Sequence, residues 1–180
     1  MCFCDLWLAI LVATAAVFVA SSLVWMVLPF HKGDYQVPPA PDEFGAPLAK
    51  HRPPVGRYMI GWCGPGGAEK APPDPSAPRG LLVVQYGPVS MGRTLGIWAL
   101  HLLVVSVLIA YAASLALGPG AAGMSVFRVT SAVALLAYGA GAAPRAIWEG
   151  LPWKQVPTAL LDALIYAAAT GAVFAWLWPA

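Results

Sequence analysis

The sequence predicts an all-α membrane protein, with four transmembrane helices and one long proline-rich extramembrane loop that holds a small β-hairpin. Three observations predict it. First, the 180 residues are 59% hydrophobic and only 10% charged, with a mean hydropathy of +0.71. Soluble domains carry about 25% charged residues because a water-facing surface requires them. Ten Lys/Arg and eight Asp/Glu therefore leave most of this surface for lipid or protein. Second, four segments reach the roughly 20 apolar residues that cross a hydrocarbon core at about 1.5 Å each. Third, tryptophans cluster at the segment ends, the headgroup level that suits a half-wet indole ring.

The first helix is expected over about residues 6–28, stopped by Pro29. It lacks the marks of a cleaved signal. No basic residue precedes it, the apolar stretch exceeds the usual span of about 7–15, and Pro29-Phe30 follow where small residues would be wanted. We read it as a retained anchor. The loop of residues 29–92 comes next, dense in proline. Within it Arg57–Cys63 and Gly80–Tyr86 look like strands joined by a Gly/Pro-rich connection, and Asp42–Lys50 looks like a short helix weakened by Gly45 and Pro47. Two strands alone are marginal in water, so the hairpin is expected to lean on something. Ser90-Met91-Gly92-Arg93 reads as an interfacial turn before the second helix.

The second helix is expected over about residues 94–117, closed by Gly118-Pro119-Gly120. The third covers about 126–148; Arg128 and Pro144 trim its apolar centre, and Gly139–Gly141 with Pro144 are where it can break. The fourth covers about 156–178, ended by Pro179. Together they make a single membrane domain over residues 1–180.

With four crossings, Trp7, Trp176 and Trp178 fall on one membrane face and Trp25, Trp98, Trp148 and Trp153 on the other. Lys32, Arg93, Arg145 and Lys154 lie at the second face, against Arg128 alone at the first. The positive-inside rule then puts loop 29–92 in the cytoplasm and both termini in the periplasm of a bacterial inner membrane.

Small residues recur every fourth position in the fourth helix, at Ala159, Ala163, Ala167, Gly171 and Ala175. Such a stripe lets a second backbone approach closely, which is how helices associate where lipid gives no hydrophobic drive. Shorter versions occur at Ser106, Ala110 and Ser114, and at Gly139 and Ala143. The stripes suit internal packing or docking of another membrane protein.

Few polar residues lie within the helices. His101 sits about two turns inside the second helix and Asp162 at a similar depth in the fourth, entering from the same face. Ionisable groups at depth usually turn inward and pair. A structural pair of Asp162 with His101 or Arg145 is therefore expected. His101 is also the one histidine placed to ligate a tetrapyrrole pigment or haem, although no second buried histidine accompanies it. The run Trp25–Tyr35, WMVLPFHKGDY, gathers His31, Lys32 and Asp34 where the chain leaves the bilayer. It reads first as an interfacial turn with snorkelling charges, and second as a proton-handling or metal site short of ligands.

Several function classes are excluded or disfavoured. The net charge of +2 with no basic stripe does not suit nucleic acid. No P-loop, Rossmann glycine pattern, H-E-x-x-H or nucleophile elbow occurs, so no catalytic residue is assigned. Cys2, Cys4 and Cys63 lack metal-site spacing, and three cysteines do not make a disulfide framework.

The WMVLPFHKGDY run, followed by PPVGRYMI, GPVSMGRTL and the ending GAVFAWLWP, resembles a group of bacterial four-helix membrane proteins. The resemblance implies the four-helix architecture and no particular activity. The function expected is a non-catalytic accessory or structural subunit of a larger bacterial membrane complex, such as a photosynthetic or respiratory one. Its partners are lipid and other membrane subunits, and no resident cofactor or metal is expected. The alternatives are a small transporter or channel component, and a pigment- or haem-binding protein using His101.

Overall fold

The structure, a computed structural model, describes residues 3–61, 76, 78 and 80–180. Its helices are α1 Trp7–Met26, α2 Pro41–His51, α3 Met91–Ala116, α4 Gly123–Gly139, α5 Ala142–Glu149 and α6 Gln155–Trp176; its strands are β1 Gly56–Ile60 and β2 Gly80–Val84. Short 3-10 turns at Phe3–Leu6 and Pro29–His31 bracket α1. Four helical stretches are long and apolar enough to cross a membrane: Cys4–Met26, Met91–Ala116, Gly123–Glu149 and Gln155–Trp176.

The boundaries differ from expectation where capping and proline chemistry intervene. Met91-Gly92-Arg93 is the first turn of α3, not a free turn, because the Ser90 side chain accepts from the Arg93 N–H and caps the helix. The third apolar stretch is two helices. Its ladder breaks at Ala140–Gly141, and Pro144 falls in the first turn of α5, where its missing N–H had no helical partner to lose. In α2, Pro41 takes a first-turn position, Asp42 and Glu43 follow it, and Pro47 is carried inside. Cys4 is disulfide-bonded; Cys2, Cys63 and the connection between the strands lie outside the described residues.

These four apolar stretches form a ring in which α1 touches α3 and α6, and α4 touches α3 and α6. Its core is built from Leu6, Ile10, Ile109, Val126, Ala134 and Phe174, all nearly fully buried. The tightest contact joins α4 to α6. A Cβ added at Gly171 would collide with Ser131 Oγ and lie 2.9 Å from Phe127 Cδ2, and one at Gly139 would lie 3.1 Å from Ala163 Cβ. Ala163, Ala167 and Gly171 are buried along this contact, with Ala159 and Ala175 at its half-buried ends. Ser106, Ala110 and Gly139 also turn inward. At the opposite end from the loop, Trp178 Nε1 donates to Gly118 O at 3.0 Å and Gly120 N to Pro179 O at 2.9 Å, tying the chain end to the α3–α4 turn.

The strands pair antiparallel with Tyr58 opposite Leu82 and Gly56 opposite Val84. Arg57 and Val83 therefore share a face, and that face looks at α5. Arg57 Nη2 reaches Glu149 Oε1 at 2.7 Å, which is how the hairpin leans on the bundle.

Candidate functional site

The site lies where α1 ends. Pro29 has no N–H to continue α1, so the chain tightens into a 3-10 turn, with Lys32 N bonded to Pro29 O and Asp34 N to His31 O. That turn folds the His31 ring back over the mouth of the bundle, where it is 9% exposed. Its two nitrogens meet two carboxylates. Nδ1 lies 2.6 Å from Asp34 Oδ2, and Nε2 lies 3.1 Å and 3.0 Å from the two oxygens of Asp162 on α6. An ionised carboxylate only accepts hydrogen bonds, so two of them facing both ring nitrogens favour an imidazolium that donates through both. Burial pulls the His31 pKa down, and the hydrogen bonds and charges of Asp34 and Asp162 more than reverse it, leaving it raised above 6.5.

Other groups fix this arrangement. The Trp25 ring stacks on His31 with centroids 3.9 Å apart and planes 1° from parallel. Gln155 Nε2 donates to Asp34 O at 2.9 Å, and Lys154 Nζ to Gly33 O at 3.5 Å, so the start of α6 holds the same turn by its backbone. Beside the turn opens a cleft of about 410 Å³ between α1, β2, α5 and α6, lined in part by His31, Asp34, Asp162, Arg145 and Glu149. Glu149 is shared there between Arg57 at 2.7 Å and Arg145 at 3.5 Å.

Asp162 does turn inward and pair, but its partner is His31 rather than His101 or Arg145. Depth alone matched His101 to Asp162. Helix phase separates them: Leu102, Val105, Ser106 and Ile109 face the core of α3, leaving His101 on the exposed side, stacked on Trp98 with centroids 5.4 Å apart. Arg145 stays with Glu149 one turn along α5, its side chain 61% exposed. Two features of the sequence point at His31: Asp162 is the one carboxylate well inside a crossing, and a histidine follows a helix-ending proline at the matching face.

His31, Asp34 and Asp162 do not make a metal site, since the carboxylates sit on opposite edges of one ring and cannot converge on an ion. Among the described residues no group of three or more His, Cys, Asp or Glu is arranged to hold one. Below Asp162, Tyr166 and Thr170 continue at four-residue spacing along the buried face of α6. The hydroxyls of Tyr166 and Tyr138 are buried, and their rings meet edge to face at 5.6 Å.

Comparison with protein-family models, with curated proteins and with solved structures gives no match to this chain. The likeness of the WMVLPFHKGDY run to bacterial four-helix membrane proteins therefore rests on those residues alone.

Proposed function

We propose that this chain is a non-catalytic accessory subunit of a larger complex in a bacterial inner membrane, with the extramembrane segment as its partner-facing part. One observation carries the reading. That segment is clamped to the bundle by the His31 pairing, by Arg57–Glu149 and by the Lys154 and Gln155 side chains, yet it leaves large apolar residues uncovered. Tyr35, Val37, Phe44, Val55 and Val89, all outside the four crossings, are between 62% and 83% exposed. Large apolar side chains exposed outside the apolar helices suit cover by protein or membrane. The two-stranded sheet also has both edges unpaired among the described residues, which suits addition of a partner strand.

The small-residue stripes do not enter this reading, because those of α4 and α6 are spent on each other. In the orientation favoured by the basic residues the segment faces the cytoplasm. Labelling of Gly45→Cys and Ala180→Cys by an impermeant thiol reagent in sealed cells tests the orientation. Labelling at Ala180→Cys alone supports it, and labelling at Gly45→Cys alone reverses it.

The deciding experiment is extraction in mild detergent followed by mass and absorbance. Other polypeptides are expected in fixed ratio, and lost in a Val37→Ser/Phe44→Ser double variant. A chain recovered alone, near 18.8 kDa plus lipid and detergent, overturns the proposal. Visible absorbance that disappears in His101→Ala would favour the pigment reading instead. The buried file of Asp162, Tyr166 and Thr170 favours a second reading, a transporter or channel component. Proton or ion flux in proteoliposomes that disappears in Asp162→Asn would move the assignment there.

A further inference from the structure

We propose that the cleft beside His31 binds a zwitterionic phospho-amine, the headgroup chemistry of an ethanolamine phospholipid. Charged groups in and beside it form two poles. At one, the imidazolium of His31 lies between Asp34 and Asp162, leaving a formal excess of one negative charge. Both carboxylates line the cleft and keep acceptor positions beyond those taken by the ring. At the other pole Arg145 and Glu149 line the cleft, and Arg57, outside the lining, holds Glu149 at 2.7 Å, so the three carry one positive charge in excess. The Arg145 guanidinium also keeps N–H donors beyond its one 3.5 Å contact. An ammonium suits the first pole and a phosphate the second, so a ligand carrying both neutralises each.

The site has the size and lining for such a group. About 410 Å³ is within the range of ligand clefts, roughly 300–1,000 Å³. Trp25, Leu81, Leu151 and Val156 supply apolar wall between the poles, at the level where α1 and α6 leave their apolar crossings. That wall suits the glycerol and upper acyl carbons of a lipid better than a small soluble zwitterion. An ammonium with N–H donors can hydrogen-bond the carboxylates. A trimethylated ammonium cannot, so ethanolamine lipid should be preferred to choline lipid of the same charge.

Native mass spectrometry of the full chain in detergent tests this, with phosphatidylethanolamine, phosphatidylcholine and phosphatidylglycerol added in turn at equal concentration. Phosphatidylethanolamine is expected to be retained about tenfold more than either other lipid, the scale of one charge-assisted hydrogen bond. Arg145→Gln should lower that retention by about tenfold with melting temperature unchanged, since Arg145 is mostly exposed. Competition by soluble glycerophosphoethanolamine at matched concentration identifies a free phospho-amine as the source, and lack of competition identifies the lipid; both sustain the chemistry. Equal retention of the three lipids overturns it, as does retention undiminished in Arg145→Gln.

Discussion

His31 Nε2 and Asp162 Oδ2 stand 3.0 Å apart, although 131 residues of chain separate them. The pairing joins the turn after the first crossing to the inside of the last one. It answers the problem that a carboxylate inside a crossing poses, since an unpaired charge there is costly. It also fixes how the extramembrane segment leaves the bundle, and thus where β1 and β2 can reach α5.

The pairing makes stability depend on pH with a definite sign. The folded His31 pKa lies above its ordinary 6.5, so the folded state binds the proton more tightly than the unfolded one. The stabilisation is fully present below the unfolded value and is lost as pH rises through the folded one. Melting temperature in detergent should therefore fall as pH rises past the ordinary value of 6.5 and through the raised one. The fall should be absent in His31→Gln. An equal fall in that variant would place the titrating group elsewhere.

The α4–α6 contact should respond to a single methyl group. Gly171→Ala puts a carbon against Ser131 and Phe127 and should destabilise by about 1–3 kcal/mol. Gly96→Ala, in α3 with nothing within 4 Å of its new carbon, should be neutral or stabilise by up to about 1 kcal/mol. Thermal unfolding of the two variants side by side checks the contrast.

Much of this architecture was legible in the sequence. Each long helix carries enough apolar residues in a row to be read without its neighbours, Arg57–Cys63 covers β1 apart from Gly56, and Gly80–Tyr86 contains β2. Ends were less legible, since the cap at Ser90 and the break at Ala140–Gly141 depend on single hydrogen bonds. The partner of Asp162 was not legible. Depth follows from counting residues, whereas azimuth and the fold-back after Pro29 follow from packing. His101 and His31 both lie within reach of the right level, and only the direction in which Leu102 and Ile109 face the core separates them.

Glu149 ties the hairpin rather than the helices. Glu149→Gln should accelerate amide hydrogen exchange across β1 and β2, while exchange within α1, α3 and α6 stays slow. Uniform acceleration through the helices would show that Glu149 supports the bundle itself.

The most direct test of the His31 clasp is a double-mutant cycle of His31→Gln and Asp162→Asn, read by thermal unfolding in detergent below pH 6.5, the ordinary His value. The two side chains should couple by about 1.5–3 kcal/mol, the scale of a hydrogen bond between charged groups, with each single variant losing most of what the double loses. Effects that add to within about 0.5 kcal/mol would contradict the clasp, because independent residues add and contacting partners do not.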